Sequence, residues 1–308
     1  MNPKIRMTAC ALAACALVSE LHAQETVMEP VVVKAKRENR VSKGATGLPM
    51  EIKETPQTIS TIEKQQIKDF GATSSNDALR LGTGINVEQY ETNRTVYNSR
   101  GFEIQLTQID GIGMTNDWGT VVGEHDTVHF ERVELIRGAN GLLTGVGNSS
   151  GTINYVRKRP TNKDEGEITL TRGSHDKRRV TFDYNKILTE DGKWAGRVVV
   201  AHEDKDSHLR ALHDTKNTVY GVVDGQIGDN GVLTLGFTHQ KSVQRSPMWG
   251  SLTLNRADGT QAEFDSSAST SQDWTYWNTA SESVFAEYTH SLGANWEAKV
   301  TYNHRQGD

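Results

Sequence analysis

ERVELIRGANGLLTGVGNSSGTINYVRKRP, residues 131–160, starts as an alternating strand and then places five glycines, Gly138, Gly141, Gly145, Gly147 and Gly151, within fourteen positions. Gly151-Thr152-Ile153-Asn154-Tyr155 then resumes the alternation. Glycine-rich turns behind a strand cradle phosphate in two familiar arrangements, and neither fits. A dinucleotide fingerprint needs G-x-G-x-x-G opening a helix. Here Gly145-Val146-Gly147-Asn148-Ser149-Ser150-Gly151 is off by one spacing and leads into another strand. A P-loop needs a lysine followed by Ser or Thr, and no lysine stands in this turn. What remains is conformational. Glycines admit positive φ and close backbone approach, so the chain can fold strands back in a confined space.

Outward from this stretch, the N-terminus sets the compartment. Lys4 and Arg6 precede an apolar run, ACALAACALV at 9–18, and Leu21-His22-Ala23 offers cleavage after Ala23. Residues 1–23 therefore read as a secretory signal, too short to span a bilayer. Leu12-Ala13-Ala14-Cys15 also has the look of a lipoprotein signal, a rival reading that the apolar run beyond Cys15 weakens. Both cysteines, Cys10 and Cys15, lie in the signal. Cleavage leaves an exported chain without disulfides or thiolate metal sites. Removing Lys4, Arg6 and Glu20 from 34 basic and 39 acidic residues leaves 32 and 38, a net charge of −6. That balance argues against a nucleic-acid partner. Past the signal no apolar run approaches the roughly 20 residues of a membrane helix, so residence in a membrane would have to be by strands.

Three further parts follow. Residues 24–55 are polar and basic except for Val31-Val32-Val33, and read as a flexible arm with one extended apolar segment. Residues 56–160 read as a mixed α/β unit. QTISTI, INVEQY, QLTQIDG, FERVELIRG and GTINYVRK are strand-like, and IEKQQIKDFG and ALRLG are short helices, the second capped from Ser74-Ser75-Asn76-Asp77. Residues 161–308 change texture: EGEITLTRG, RRVTFDYNK, KWAGRVVVAH, NTVYGVVDGQI, GVLTLGFTHQ, SVFAEYTHSL and NWEAKVTYNH make about seven antiparallel-looking strands. Tight links such as Gly228-Asp229-Asn230-Gly231 contrast with a long one, Lys241 to Glu282. Short turns opposite long loops are how outer-membrane barrels are built. A soluble β-sandwich shares the alternation. The polar second face and the aromatics near strand ends (Tyr184, Trp194, Tyr220, Tyr288, Trp296, Tyr302) favour a membrane barrel with interfacial girdles.

At the opening stretch a family comes into view. Glu131-Arg132-Val133-Glu134-Leu135-Ile136-Arg137-Gly138, the glycine-rich turn and Gly151-Thr152-Ile153-Asn154 closely resemble the plug domain of TonB-dependent siderophore receptors. So do Glu54-Thr55-Pro56-Gln57-Thr58-Ile59, Asn98-Ser99-Arg100-Gly101-Phe102 and Asp110-Gly111, in the family's order and spacing. Receptors for ferric hydroxamate siderophores of the coprogen and rhodotorulic acid type, and for ferric pyoverdine, are closest in wording. Ser149-Ser150-Gly151 departs from the Pro-Gly-Gly of many members but keeps Gly151. The resemblance implies a globular plug inside a barrel of about 22 strands. The fold expected is thus a mixed α/β plug domain at 56–160 followed by the first strands, about seven, of a transmembrane antiparallel β-barrel at 161–308. Seven strands do not close, so the chain is expected to be an N-terminal fragment of a longer receptor, without transport activity by itself.

The resemblance also implies an outer-membrane location, a ferric siderophore as ligand, and the periplasmic domain of TonB, with its inner-membrane energising complex, as partner. Outer-membrane lipid is the remaining contact. Val27-Met28-Glu29-Pro30-Val31-Val32-Val33 stands where members carry the TonB box, an extended segment that adds as a strand to the partner; a plain disordered arm is the alternative. The box follows the cleavage site directly, leaving no room for a signalling domain. Related hydroxamate receptors use the arginine of R-G-F, here Arg100, on the oxygen-rich face of the chelate; pairing with a plug or barrel carboxylate is the competing role. Asn116 and Trp118, in the loop 112–123, and Trp249, Trp274 and Trp277 with Tyr276 in the long loop are further ligand candidates. Each Trp competes with a packing or girdle role. Arg132, Glu134 and Arg137 are expected in plug–barrel charge networks. His125 and His129, four apart beside Glu124 and Asp126, have a spacing that serves a metal on a helix, but HDTVHF reads as a loop entering a strand. No protein-bound metal or cofactor is expected, since iron travels inside the chelate. No catalytic triad or carboxylate pair is identifiable, so no enzyme is expected. Uptake of cobalamin, haem or a glycan, and a secreted β-rich binding module, are the alternatives.

Overall fold

The computed structural model describes residues 41–42, 44–47, 50–115, 121–138, 149–293 and 296–307. The signal, the Val27–Val33 segment, Asn116, Trp118 and the middle of the glycine-rich turn lie outside them.

A five-stranded sheet organises the first half. Its strands are β1 (Thr58–Glu63), β5 (Leu106–Ile109), β6 (Ile112–Thr115), β8 (Phe130–Arg137) and β9 (Gly151–Arg157), in the order β1-β8-β9-β5-β6. Leu135 pairs with Ser60 on one side and Ile153 on the other, both antiparallel, while β9 and β5 run parallel with Ile153 beside Thr107. Between β1 and β5 come α1 (Lys64–Asp69), α2 (Ser75–Arg80), and a smaller sheet of β2 (Asn86–Gln89), β3 (Arg94–Ser99) and β4 (Phe102–Glu103), with β7 (Val121–Val122) alongside β3. Ser74 caps α2 by accepting the Asp77 N–H at 3.1 Å.

β8 carries the apolar load on both faces. Val133 and Leu135 join Ile62, Leu79, Tyr97, Phe130, Ile153 and Tyr155 in the main core. Ile136 turns the other way, to Ile59, Ala45 and Ile52. Each of these large side chains contributes about 2 kcal/mol by leaving water. Residues 44–55, expected to belong to a flexible arm, are therefore in part docked: Ala45 is fully buried against β1 and β8. Sequence texture missed this because the docked residues are scattered singly among polar ones.

The second half is a meander of seven antiparallel strands, β10 (Glu165–Arg172), β11 (Arg178–Ile187), β12 (Trp194–Asp206), β13 (His213–Ile227), β14 (Gly231–Arg245), β15 (Tyr276–Ser291) and β16 (Glu297–Gly307), in chain order. β10 and β16 are its edges. The seven expected strands are all present. Several run longer than alternation suggested: β12 reaches Asp206, β13 starts at His213, β14 reaches Arg245 and β15 starts at Tyr276, so the long loop is 246–275. Beyond the hydrocarbon no apolar outer face is required, and the pattern that marks a strand fades before the strand ends.

Parity sorts the side chains. Val180, Phe182, Tyr184, Val198, Val200, Leu235, Phe237 and Val284 are exposed on the outer face. Arg179, Asn185, Arg197, Val199, Glu203, Thr218 and Val222 are buried on the inner one. Tyr220 shares the inner parity and is fully buried, so it is no girdle residue as its position near a strand end had suggested. Aromatic rings lie over glycines of the next strand: Tyr184 over Gly166, Trp194 over Gly225 and Phe237 over Gly221.

Gly151 answers the opening puzzle. At φ +148° it starts β9 with its Cα so close to β8 that an added Cβ would stand 2.5 Å from the Ile136 carbonyl oxygen. Gly71, at φ +59°, has open space around it. Gly71→Ala is expected to cost about 1 kcal/mol from its left-handed backbone alone. Gly151→Ala should cost more, about 3 kcal/mol, because backbone must move; urea unfolding of the two variants side by side measures the difference.

Candidate ligand-binding site

The wall strands are joined by short turns, 188–193, 228–230 and 292–296, at one end, and by 173–177, 207–212 and 246–275 at the other. The long loop 246–275 marks the outer mouth. There the plug's β2–β3 hairpin meets the wall. Gln244 of β14 donates from Nε2 to the Thr92 carbonyl (3.2 Å) and to Asp214 (2.8 Å), and its Oε1 accepts from Thr92 Oγ1 (2.9 Å). Arg94 is clamped by both oxygens of Glu91 (2.5 and 2.8 Å) and lies over the Trp249 ring, 4.3 Å from its centroid. Trp249 in turn stacks on Trp277, with centroids 5.0 Å apart and planes 28° from parallel. Guanidinium and two indoles thus form one column. Its Trp249 is 65% exposed. Beside it opens a cavity of about 480 Å³ lined by Tyr90, Thr92, Glu124, Leu212, Gln244 and Trp277 among others. Aromatic faces with a few convergent polar groups suit a bulky, partly planar ligand.

Arg100 stands elsewhere. It holds φ +56° at the β3–β4 turn, is exposed, and lines a cavity of about 520 Å³ made by Gly84, Ile85, Asn86, Glu88, Asn98 and Gly101. Among the described residues no carboxylate is within ion-pair distance of it. Trp249 and Trp277 are brought together; Trp274, 80% exposed, and Tyr276, 72% exposed, make no ring contact among the described residues. Asn116 and Trp118 lie outside the described residues.

Below the mouth the plug is tied to the wall through groups the sequence reading passed over. Asp126 is fully buried and receives two bonds from Arg179 of β11, Nη2 to Oδ1 at 2.7 Å and Nη1 to Oδ2 at 2.9 Å. Lys216 of β13 is 3.8 Å away, and Glu203 shares the same guanidinium at 3.2 Å. Burial pushes the Asp126 carboxyl up, but Lys216 and Arg179 outweigh it and hold the group well below the ordinary carboxylate range. Gln240 of β14 accepts the Asp126 N–H and donates to the Glu124 carbonyl, each at 2.7 Å. Deeper down, Arg159 reaches Asp110, Asp224 and Glu287 at 3.6–3.9 Å, and Lys158 meets Asp183 at 2.8 Å. Val128 packs on a small apolar patch of the wall, Val199, Tyr220, Val222 and Phe285.

Arg132, Glu134 and Arg137 find partners inside the plug. Arg132 pairs with Glu134 at 2.9 Å, Glu134 accepts from Asn154 at 2.8 Å, and Arg137 donates to Ser60 and to the Thr83 carbonyl, all within the plug. β8 is flanked by strands on both sides, so its neighbours take up its polar groups. His125 and His129 do not converge on a metal; no group of three metal-ligating side chains exists among the described residues. They sit around a 3-10 turn, His129 tilted against Phe130 (4.0 Å) and His125 edge-on to Tyr155 (5.7 Å). Burial lowers both imidazoles to about 3.

Comparison with known proteins bears on the family and the fold. Residues 51–152 match the family model described as TonB-dependent Receptor Plug Domain. The chain is 34% identical over 265 residues to the ferripyoverdine receptor of Pseudomonas aeruginosa, covering 85% of this chain and 32% of that protein. It is 26% identical over 225 residues to the ferrioxamine receptor of Yersinia enterocolitica, covering 71% and 31%. The crystal structure of the Pseudomonas aeruginosa outer-membrane ferripyoverdine receptor bound to ferripyoverdine superposes with a TM-score of 0.82 at 32% identity, over 86% of this chain and 36% of that one. The alcaligin outer-membrane receptor of Bordetella pertussis gives 0.70 at 28% identity, over 87% and 42%. The chain thus spans about a third of the length of the curated relatives it matches.

Breaking the Asp126–Arg179 pair from one side should cost about 3 kcal/mol, because a charge remains buried without its partner. Asp126→Asn is expected to expose the plug to protease at lower urea concentration, and the double variant Asp126→Asn/Arg179→Met to recover part of the loss. Acid acts in the same direction. Unfolded histidine takes a proton near pH 6.5, whereas folded His125 and His129 resist until about 3. Their contribution is whole above pH 6.5 and is lost as the pH falls towards 3. His129→Gln should flatten the decline in the urea midpoint between those values.

Proposed function

We propose that this chain, which belongs to the TonB-dependent receptors of the bacterial outer membrane, forms the plug and seven wall strands of a receptor for an extracellular ferric siderophore of hydroxamate or mixed type. The observation that carries the reading is the Arg94–Trp249–Trp277 column standing open beside a cavity at the outer mouth. Indole faces pack on the organic body of a chelate. The Arg94 guanidinium, held by Glu91, fixes and polarises the Trp249 ring beneath it. Arg100, in its separate cavity, is the cation offered to the ligand, and Trp274, Asn116 and Trp118 complete the candidate set. The ferripyoverdine and ferrioxamine receptors among its relatives support this substrate class.

Iron enters and leaves within the chelate, so the receptor's own chemistry is non-covalent. Import draws on the inner membrane. TonB's periplasmic domain pairs with Val27–Val33 as an added strand and pulls on the plug. The ties from Asp126, Arg159 and Lys158 to the wall are what that pull has to loosen.

In the full-length receptor, Trp249→Ala is expected to weaken binding of the cognate ferric siderophore by roughly ten-fold, as loss of an aromatic anchor does; tryptophan-fluorescence titration over a panel of ferric chelates both finds the ligand and measures the loss. Deleting residues 27–33 should abolish uptake of radiolabelled iron while leaving that titration unchanged. Binding by none of the chelates would overturn the siderophore reading, and undiminished uptake would overturn the assignment of the box.

A further inference from the structure

Between plug and wall lies a small cavity that no direct contact fills. It measures about 20 Å³ and is lined from the plug by His125, His129 and Arg157, and from the wall by Thr238, Ser283 and their neighbours. Thr238 and Ser283 are cross-strand partners on the inner parity of β14 and β15. Such a volume admits one occupant the size of a water molecule or a halide ion. Polar atoms line it without partners. Arg157 is 3% exposed and gives Nη1 to Asp110 (3.2 Å), but its Nη2 is buried and bonds to nothing. His129, also 3% exposed, leaves Nδ1 unpaired, and Thr238 leaves Oγ1 unpaired. Buried polar atoms are seldom left so. Neither β9, which carries Arg157, nor β14, which carries Thr238, is an edge strand.

The charge around the cavity is positive. Arg157 and Arg305 both line it. Asp110 is shared between Arg157 and Arg159, and Asp126, further along the turn, is taken by Arg179 and Lys216. Glu282 is the one carboxylate of the lining among the described residues, and it is engaged by His239 at 3.0 Å. Arg305, on the edge strand β16, meets the Met114 sulfur; it adds to the field, but the site stands without it. The neighbouring imidazole registers that field: burial first, then the charges of Arg305, His129, Lys216 and Arg157, lower His125.

We infer that this cavity is a site for a single chloride ion, held by Arg157 Nη2, Thr238 Oγ1 and the His129 ring. The uncharged imidazole donates from Nδ1 in one of its tautomers. A water molecule would satisfy these atoms but leave the positive charge uncompensated; an anion accepts from all three and offsets it. Oxyanions such as sulfate are too large for about 20 Å³. Arg157 and His129 belong to the plug and Thr238 to the wall, so the ion is a further tie across the seam, and one that the medium can supply or withdraw. The site is independent of the siderophore reading; it needs only that the plug sits in its wall.

Crystals of the receptor grown with bromide in place of chloride test the site directly: an anomalous peak is expected between Arg157 Nη2 and Thr238 Oγ1. In solution, at constant ionic strength, the urea concentration at which protease cuts the plug should rise with chloride and saturate. It should not rise with gluconate, which is too large to enter. Thr238→Val should weaken the chloride response by roughly ten-fold, as loss of one hydrogen bond to a charged group does, and Thr238→Ser should keep it. A merely structural role for Thr238 would shift the midpoint equally with and without chloride. The wild-type peak decides the matter should Thr238→Val fail to fold. An ordered water where bromide is expected overturns the proposal. So does a peak with no saturable response in solution, which is binding at crystal concentration only, a response that gluconate reproduces, or one that folded Thr238→Val retains in full.

Discussion

A strand in hydrocarbon has only other strands with which to satisfy its backbone, and that requirement sets everything else in this chain. It forces a meander in which each strand pairs with the next along its whole length. It forces strict parity, with one face given to lipid. The face left over points inward, where the plug sits, and it is free to carry Arg179, Arg197, Glu203, Lys216 and Gln240 because no lipid touches it. Polar groups placed there are buried by the plug and not by the membrane. The charged seam between plug and wall is therefore a consequence of how the wall is built.

A seam of that kind holds position more than it adds stability. Desolvating Asp126 and Arg179 offsets most of what their pairing returns, so the gain lies in fixing one seat for the plug. Apolar contact across the seam is slight: Val128 against Val199, Tyr220, Val222 and Phe285. Inside the plug the balance is reversed, with Val133, Leu135 and Ile153 at the centre of a continuous apolar core. A body that is firm within and held to its housing by a few directional ties can be shifted as a unit before it unfolds.

What the sequence disclosed follows the same division. Parity in RRVTFDYNK or GVLTLGFTHQ is imposed by lipid and is written in every second residue, so the seven strands were legible. Gly151 starts β9 at an approach to the Ile136 carbonyl that only glycine allows, and its special role too was legible. The strand Arg94–Ser99 was not, since NRTVYNS buries Val96 and Tyr97 beside polar neighbours and shows no clean alternation. Asp126 stayed hidden behind its histidines: a lone aspartate in a loop has the same local signature whether it caps a turn or anchors a domain. Arg179 and Lys216, 53 and 90 positions further along the chain, become its partners only through the barrel's register. Trp249 and Trp277 were singled out as aromatics, but Arg94 as the third member of their column is a fact of tertiary placement alone.

The short segment 124–126 belongs to both regions. Glu124 lines the mouth cavity and accepts from Asn76 Nδ2 at 2.6 Å; Asp126 binds the wall. Gln240 holds the two together, one amide group gripping the Glu124 carbonyl and the Asp126 N–H. His125 between them is wedged against Phe130 and Tyr155, so the segment has little room to flex internally. Glu124 at the mouth and the Asp126 backbone, two residues away, are thus held by the same amide group of Gln240. Arg94 and Thr92 touch the wall at exposed or half-exposed positions where solvent can replace each bond. Asp126 has no such substitute, and its bonds break only as the plug leaves its seat. The cavity at the mouth and the plug's tie to the wall thus share three consecutive residues.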